Sequence, residues 1–412
     1  METKYEKPTE VRRLKGIEIA KCGGIERRGA TWIVPSQRGK VFYIVSLEGE
    51  NSRCNCPFFD KFNEKCKHIF AVEYLVAKMS NPDLIIEATN TKRVSYSQNW
   101  VAYNAAQTSE KLMFMKLLHE LLEFVGDNPH NHGRPRLSLK SMLFASALKV
   151  YSQVSLRRFI SDLQIAKDYG YIEVVPCFTS VGKIIQNPKV VPILQALIDK
   201  AAAPLKSVEE KFAADSTGFK TSKFTEYFRD KYEGVSKAHS WIKVHAMVGV
   251  KTHIVTAVVV GEEWSGDSPN FVPLVRRTHN NGFDIKEVSA DKAYSGKVNL
   301  ECVDKLGGTP YIPFKSNDTP KPNYILNREE NTTWSKYYHY FMLNREQFME
   351  HYHKRSNVET AFFMIKSKFN DQIKSKSREA QMNEALLKVL CNNIVVLIHE
   401  MNELGIKIDF TT

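Results

Sequence analysis

The sequence lacks the features that mark secreted, membrane-spanning and disordered chains. Its 412 residues include only seven cysteines, too few for a disulfide scaffold at this length, so we expect a reducing, intracellular compartment. The longest apolar runs, such as 254–260, are too short to cross a membrane, and the charged N-terminus lacks the apolar core of a signal peptide. Hydrophobic residues at 43% and charged residues at 25% are ordinary globular values, which exclude a largely disordered chain.

What the sequence has in excess is positive charge, with 58 Lys and Arg against 46 Asp and Glu. The formal net charge of +12 is concentrated in three segments: the first 80 residues (15 basic, 10 acidic), 130–170 (seven basic, two acidic) and 360–378 (five basic, one acidic). A concentrated basic excess favours a polyanionic partner. We therefore expect such a partner to bind at one or more of these segments.

Three regions follow one another along the chain. Residues 1–85 contain two strand-like stretches, 31–34 and 41–47, around a turn with Pro and Gly, followed by a cysteine-rich segment and a helix-like stretch. Residues 86–205 have mostly helical periodicity, and residues 206–412 alternate strand and helix patterns. The last region therefore predicts an α/β domain with a mixed sheet and flanking helices.

The helical region contains a basic segment with a short polar break. A helical pattern over 138–166 is interrupted near 152–155, an arrangement compatible with a helix-turn-helix-like DNA binder. A solvated helical linker with ordinary surface cations fits the pattern equally well. The basic side chains of the segment are Arg134, Arg136, Lys140, Lys149, Arg157, Arg158 and Lys167.

The cysteine-rich segment has the spacing of a metal site. Cys54 and Cys56 are followed after nine residues by Cys66 and His68, which gives the pattern CxC-x9-CxH. Four such ligands in two close pairs suit tetrahedral zinc, and a closed ligand set implies a structural ion. The alternative is a chance grouping of three cysteines near a histidine. With the preceding hairpin and the following helix, the segment resembles a SWIM zinc finger, a family associated with DNA or protein binding.

Three acidic residues in the C-terminal region are candidates for a catalytic site. Asp215 follows the apolar stretch 208–214, which predicts a strand ending at a turn, and Asp291 follows a second predicted strand. Glu359 lies in a predicted helix over 344–369. Two strand-end aspartates and a glutamate from a helix can bind two Mg²⁺ ions and support in-line phosphoryl transfer. The alternative for each aspartate is a turn or cap role.

The predicted helix over 344–369 places functional side chain types on one narrow stripe. Tyr352, Arg355, Glu359 and Lys366 fall within about 60° of one another at 100° per residue. The adjoining face is apolar and predicts packing against the sheet; it comprises Val358, Phe362, Ile365 and Phe369. A stripe of this kind is typical of an active-site wall. A solvated charged face with Arg355 and Glu359 as an i,i+4 pair is the alternative.

Four stretches of the C-terminal region resemble the DDE insertion-sequence transposases that carry the YREK signature. These stretches are ADSTGF, WIKVHAMV, EVSADKAYSG and YHKRSNVETAFFMIKSKF. Residues 133–163 are similar to the helical DNA-binding region of the same enzymes, which implies that Arg157 and Arg158 bind DNA. The resemblance implies an RNase H-like catalytic core in which Asp215, Asp291 and Glu359 hold Mg²⁺ or Mn²⁺. It also implies that Tyr352, Arg355 and Lys366 contact the DNA end.

The sequence thus predicts a transposase that cleaves double-stranded DNA to leave a 3′-OH, which then attacks target DNA by direct transesterification. The resemblance implies a homodimer on DNA, and a cytoplasmic, nucleoid-associated protein of a prokaryotic cell is expected. Two alternatives remain: a catalytically silent DNA-binding protein derived from a transposase, and an RNase H-like nuclease. Asp267 is a further candidate carboxylate, although its position in a predicted loop makes it a weaker candidate than the other three. Lys243 and His245 resemble family positions and are equally compatible with ordinary sheet residues.

Overall fold

A computed structural model describes most of the chain and divides it into two compact units, residues 1–96 and 97–412. The described residues are 8–22, 24–36, 41–47, 52–80, 99–126, 137–221, 241–261, 266–315, 318 and 333–411. Arg134 and Arg136, which belong to the predicted basic segment, lie outside them.

The described residues of the first unit form a small antiparallel sheet and three helices. Its helices are α1 (Pro8–Cys22), α2 (Pro57–Phe62) and α3 (Lys67–Ser80), and its strands are β1 (Glu26–Arg28), β2 (Thr31–Pro35), β3 (Phe42–Ser46) and β4 (Arg53–Cys54). The strands are ordered β1-β2-β3-β4. The predicted hairpin is confirmed as β2 and β3, in which Trp32 pairs with Val45. The predicted helix after the cysteine-rich segment is α3.

Alternation along β2 and β3 turns apolar side chains toward the helices of this unit. Val34 and Val45 are fully buried, and they share a core with Ile69 and Val72 of α3. Gly16 lets α1 approach α3 closely, since a Cβ at this position would lie 2.7 Å from the Lys67 carbonyl oxygen. This core is small, so the unit has little apolar burial with which to hold its short strands and helices.

The second unit begins with helices and continues into an α/β arrangement. Helices α4 (Trp100–Leu122), α5 (Leu139–Ser152), α6 (Ile160–Asp168), α7 (Phe178–Ile185) and α8 (Val190–Ala202) come first. The strands are β5 (Lys211–Lys220), β6 (Trp241–Gly249), β7 (Val255–Gly261), β8 (Glu287–Ala290) and β9 (Thr309–Tyr311). The remaining helices are α9 (Ser268–Asn280), α10 (Lys297–Lys305), α11 (Thr333–Leu343), α12 (Arg345–Tyr352), α13 (Ser356–Phe369) and α14 (Arg378–Glu403).

The five strands form one mixed sheet in the order β7-β6-β5-β8-β9. β5 pairs antiparallel with β6 and parallel with β8, so it lies at the centre, and β6–β7 and β8–β9 complete the two sides. The predicted α/β fold class, with a mixed sheet and flanking helices, is confirmed. The antiparallel and parallel halves meet at β5, and the candidate site lies there.

The predicted end of the first catalytic strand is wrong. The stretch Asp215-Ser-Thr-Gly has the residue types of a turn, yet β5 runs on to Lys220. Pairing with β6 continues from Phe212 opposite Gly249 to Lys220 opposite Trp241. Backbone hydrogen bonding to a long partner strand thus overrides the local turn preference, and Asp215 lies in the middle of its strand.

The predicted single helix over 344–369 is also wrong in one respect. The chain forms α12, then a 3₁₀ turn over His353–Arg355, and then α13. Val358, Phe362, Ile365 and Phe369 are buried, so the predicted apolar face of α13 does pack inward. Within the described residues, α13 packs against β5 and β6.

The long helix α14 passes through the core of the second unit. It packs against α4, α5 and α8 and against β6 and β7. By length and composition this helix could cross a membrane, but 89% of its apolar window is buried inside the unit. The helical region and the sheet share one hydrophobic core. The predicted boundary near residue 205 therefore falls inside one compact unit of the described chain.

Candidate active site and metal centre

The central strands bring two of the predicted catalytic carboxylates side by side. Ala214 of β5 pairs with Ala290 of β8, so Asp215 and Asp291 are the next residues on two neighbouring parallel strands. Asp291 ends its strand and caps the 3₁₀ turn Lys292–Tyr294, where its Oδ1 accepts a hydrogen bond from the Lys292 N–H at 2.6 Å. The sheet thus directs both aspartates to one place at its central strands.

Helix α13 supplies the third carboxylate, and Arg355 connects it to the first. Arg355 Nη1 lies 2.8 Å from Asp215 Oδ2, and its Nη2 lies 2.5 Å from Glu359 Oε1. One guanidinium therefore bridges a strand carboxylate and a helix carboxylate across the site. The i,i+4 pair of Arg355 and Glu359 is present, and it is one half of a wider bridge rather than a separate surface contact.

The charges of the three carboxylates act on one another at Asp215. Burial raises the pKa of the Asp215 carboxyl, and the negative charges of Asp291 and Glu359 raise it further. A hydrogen bond from the Ser216 N–H and the Arg355 guanidinium oppose this rise. Clustered carboxylates of this kind fit a divalent cation, because hard oxygen ligands and a local excess of negative charge are what such an ion binds.

Arg355 now fills the position of positive charge between these carboxylates. Among the described residues, the one group of His, Cys, Asp and Glu side chains gathered tightly enough to share an ion lies in the first unit. The guanidinium keeps Asp215 and Glu359 apart, since each binds a different nitrogen of Arg355. The carboxylates thus have the right chemistry for a divalent ion, in an arrangement closed by Arg355.

Tyr352 and Lys366 extend the site along α12 and α13. Burial raises the pKa of the Tyr352 phenol, with the charges of Asp291 and Asp215 adding to it. Lys366 donates a hydrogen bond to Thr217 Oγ1 at 2.6 Å, and burial lowers the pKa of its ammonium. Tyr352 therefore lies beside the carboxylates, and Lys366 lies against β5, two residues beyond Asp215.

Asp267 lies next to this group but is bound to cations of the sheet. Its Oδ1 accepts a hydrogen bond from Ser216 Oγ at 2.7 Å and lies 2.9 Å from Lys243 Nζ. His245 Nδ1 lies 3.5 Å from the same oxygen, and burial lowers the pKa of the His245 ring. Although burial opposes it, these partners hold the pKa of Asp267 below its ordinary value. Asp267 thus holds Ser216, the residue that follows Asp215 in β5, in a fixed position.

Tyr294 is a site residue that the sequence-based reasoning missed. It is buried at the end of the 3₁₀ turn after Asp291. Burial raises the pKa of its phenol, and the charges of Asp215 and Asp267 raise it further, so the phenol is electrostatically coupled to both carboxylates. The only sequence signal was its position three residues after a candidate catalytic aspartate.

The predicted zinc ligands of the first unit come together. Cys54, Cys56, Cys66 and His68 are all buried, and their ligand atoms lie within 4.8 Å of one another. The Nδ1 atom of His68 is 3.8 Å from the sulfurs of both Cys54 and Cys66. Two ligands of a tetrahedral zinc ion lie roughly 3.6 Å apart, so this set fits zinc closely.

The protonation of the cluster also fits a cation. A hydrogen bond from the Cys54 thiol lowers the pKa of Cys66, which favours a thiolate at that position. Metal binding requires such deprotonated sulfur. The His68 ring presents Nδ1 to the sulfurs and stacks near Tyr43, with ring centroids 4.4 Å apart. The chemistry and geometry of these four residues are those of a structural zinc site.

The predicted DNA-binding arginines of the helical region lie in a turn. Arg157 and Arg158 are exposed in the stretch between α5 and α6, and Arg157 lies over the Phe178 ring at 5.4 Å. The interruption of the helical pattern is therefore present, at 153–159. Trp264, another aromatic near the site in sequence, lies outside the described residues.

Comparisons with known proteins agree with both sites. Residues 206–394 match the transposase DDE domain family, and residues 43–77 match the SWIM zinc finger. A solved structure of a piggyBac transposase synaptic complex with hairpin DNA is similar at 10% identity, over 75% of this chain and 77% of that chain. Its TM-score is 0.34, so that likeness carries no argument. The DDE match spans Asp215, Asp291 and Glu359, and the SWIM match spans the four zinc ligands.

Proposed function

We propose that this chain, which matches the transposase DDE domain over residues 206–394 and the SWIM zinc finger over residues 43–77, is a DDE transposase that cleaves double-stranded DNA at the ends of a mobile element. The released 3′-OH then attacks a phosphodiester of target DNA, so that one bond forms as another breaks and no protein–DNA covalent link is needed. The observation that carries this proposal is the convergence of Asp215, Asp291 and Glu359 at the central strands of the sheet.

In this proposal the three carboxylates hold two Mg²⁺ ions, which Mn²⁺ can replace. When bound, the ions supply Lewis-acid activation of the attacking and leaving oxygens. Asp215 and Asp291 are placed by neighbouring strands, and Glu359 reaches in from α13. Ser216, held by Asp267, keeps the Asp215 segment of β5 in position.

The cationic and aromatic side chains around the carboxylates bind the DNA end. Arg355 leaves its carboxylate partners and binds a phosphate beside the scissile bond, where a bidentate guanidinium is well suited. Lys366 neutralises a neighbouring phosphate, and Tyr352 stacks on or positions the DNA end. Arg157 and Arg158 contact the backbone farther from the cut.

Two copies of the chain are proposed to act together, because both ends of an element must be cut and joined. We place the protein in the cytoplasm of a prokaryotic cell, on nucleoid DNA. The SWIM finger contributes a second contact, with DNA or with protein. Its zinc ion is structural, since the four ligands close the coordination sphere.

The test is strand transfer by a Glu359→Gln variant. The substrate is a supercoiled plasmid that carries both DNA flanks of the coding region, incubated with Mg²⁺ or Mn²⁺. We expect cleaved and joined products to fall by at least about a hundredfold, because the loss of one ion-binding carboxylate removes several kcal/mol of transition-state stabilisation. Glu350→Gln, a change to an exposed glutamate on α12, is the matched control and keeps wild-type activity.

The outcomes separate this proposal from its alternatives. Wild-type product from Glu359→Gln removes Glu359 from the triad. Hydrolysis by the wild-type protein without any joining indicates an RNase H-like nuclease. DNA binding without metal-dependent cleavage indicates a catalytically silent DNA-binding protein.

A further inference from the structure

A basic cavity lies in the second unit, beyond the end of α13. Its volume is about 420 Å³. Its walls come from the C-terminal end of α5, the start of the turn before α6, α7, the segment after α13 and the first turns of α14. Its polar lining includes four lysines and one glutamate, namely Lys149, Lys374, Lys376, Lys388 and Glu384.

One of these lysines is held in the cavity without an anion. Lys149 is half-buried, and within the described part of the chain it makes no hydrogen bond or ion pair. Burial lowers the pKa of its ammonium and the charge of Lys374 lowers it further, while the charge of Glu384 opposes this shift. An ammonium that loses water without gaining a partner carries a desolvation cost. An anion in the cavity removes that cost.

The cavity wall is preorganised by a buried ion pair. Lys388 is 2% exposed, and its Nζ donates to the carbonyl oxygens of Asn370 and Gln372 at 2.9 and 2.8 Å. Glu384 accepts the N–H groups of Lys374 and Ser375 at 2.9 and 2.8 Å. Both residues of α14 are therefore committed to holding the segment after α13 in shape. That segment presents Lys374 and Lys376, which are exposed, at the cavity.

A second contact joins the two sides of the cavity. Lys374 Nζ donates to the Gln153 carbonyl oxygen at 2.7 Å, at the C-terminal cap of α5. The cavity thus presents four lysines, Lys149, Lys374, Lys376 and Lys388, against one carboxylate, that of Glu384. Four lysines against a single glutamate leave the lining with a positive excess, which favours an anion of more than one charge or a run of phosphates.

We propose that this cavity binds a backbone phosphate of DNA, with Lys149 as its central contact. The inference rests on the proposed function, in which the DNA end lies at Glu359. Phe369, which lines the cavity, is ten residues farther along α13, or about 15 Å. At 3.4 Å per nucleotide this is about four steps from the cut. Arg157 follows the cavity residue Leu156 in the chain, so the exposed arginines continue the same basic surface.

The experiment measures DNA binding as a function of salt. The probe is a fluorescent 30-base-pair duplex of arbitrary sequence, since phosphate contacts do not depend on sequence. In Lys149→Met we expect weaker binding and a drop of about 1 in the slope of log affinity against log salt. Lys376→Gln, an exposed change that leaves the core intact, shows the same drop. Lys407→Gln, an exposed lysine beyond the far end of α14, keeps the wild-type slope.

Two results overturn the inference. One is a wild-type salt slope in both Lys149→Met and Lys376→Gln. The other is calorimetric binding of inorganic pyrophosphate that Lys149→Met abolishes while the DNA slope stays unchanged, which makes the cavity a site for a free anion. A failure of the proposed function gives a different result from a failure of this inference. In the first case Glu359→Gln keeps strand transfer while Lys149→Met still changes the salt slope.

Discussion

At the scale of single residues, Arg355 decides the state of the active site. Its guanidinium is bound to Asp215 on the strand and to Glu359 on the helix, so it neutralises the carboxylates that a divalent ion needs. The same cation is the best-placed group to bind a phosphate at the DNA end. If Arg355 binds DNA as we propose, carboxylates and DNA would compete for one side chain, and we expect metal loading to be coupled to DNA binding.

This competition predicts opposite effects of one substitution on metal binding and on chemistry. In Arg355→Gln we expect Mn²⁺ to bind the DNA-free protein about tenfold tighter. The substitution removes the competing guanidinium, and a competing interaction of about 1.4 kcal/mol corresponds to a tenfold change in affinity. Strand transfer falls in the same variant, because the phosphate contact is lost. Electron paramagnetic resonance of free Mn²⁺ measures the affinity, and Arg345→Gln on α12 is the control. Mn²⁺ binding no tighter than in the wild-type protein contradicts the competition.

Residue types were predictable from the sequence, and their pairing was not. The carboxylates Asp215, Asp291 and Glu359 stand out because each lies in a stretch of recognisable pattern. Their link through Arg355 spans 140 residues between Asp215 and Arg355, a distance that no local pattern reports. Tyr294 and the lock formed by Asp267 were likewise invisible, because only the folded sheet brings β6 and the start of α9 to the Asp215 segment.

At the scale of elements, the first unit depends on its metal. Strand β4 has two residues and α2 has six, lengths that are marginal on their own. Cys54 ends β4, Cys56 caps α2, and Cys66 and His68 flank the start of α3. One zinc ion bound by these four residues would thus tie together three elements that the small core does not hold.

Loss of one ligand is expected to unfold this unit. Cys66→Ser lowers the zinc content, measured by plasma mass spectrometry, from about one ion per chain toward zero, and residues 52–76 lose amide protection. A structural zinc site contributes on the order of 10 kcal/mol to folding at neutral pH. The exposed Cys177→Ser, a thiol of the second unit, keeps both zinc and protection. Full zinc content in Cys66→Ser would falsify the assignment of this ligand.

The limits of the sequence also show at this scale, in β5 and at the 3₁₀ turn before α13. Local preference favours a turn at Ser216 to Gly218, whereas pairing with β6 keeps those residues in the strand. The break at His353–Arg355 leaves no signal in hydrophobic periodicity, because three residues are too few to change it. Element type was thus readable over long periodic stretches, and boundaries depended on tertiary partners.

At the scale of the whole molecule, the helical region and the sheet of the second unit are joined by buried polar contacts. Two side chains form hydrogen bonds with the backbone of the edge strand β7. Gln195 of α8 donates to the Val258 carbonyl oxygen, and Asn393 of α14 binds both the N–H and the carbonyl oxygen of Val255. Asn393 also donates to the Ile198 carbonyl oxygen of α8. The sequence pattern predicts a helical region and a separate α/β region. The backbone N–H and C=O groups on the outer side of an edge strand need partners, however, and here the helices supply them.

Asn393→Leu therefore tests whether the second unit unfolds as one. The change leaves the Val255 N–H and two buried carbonyl oxygens without a side-chain partner, and should cost about 2–4 kcal/mol. We expect amides of α4–α8 and of β5–β9 to lose protection together in hydrogen exchange with denaturant, because α8, β7 and α14 share these contacts. Asn402→Leu, an exposed site near the end of the same helix, serves as the control. Loss of protection confined to either the helices or the strands would instead support a domain boundary near residue 205.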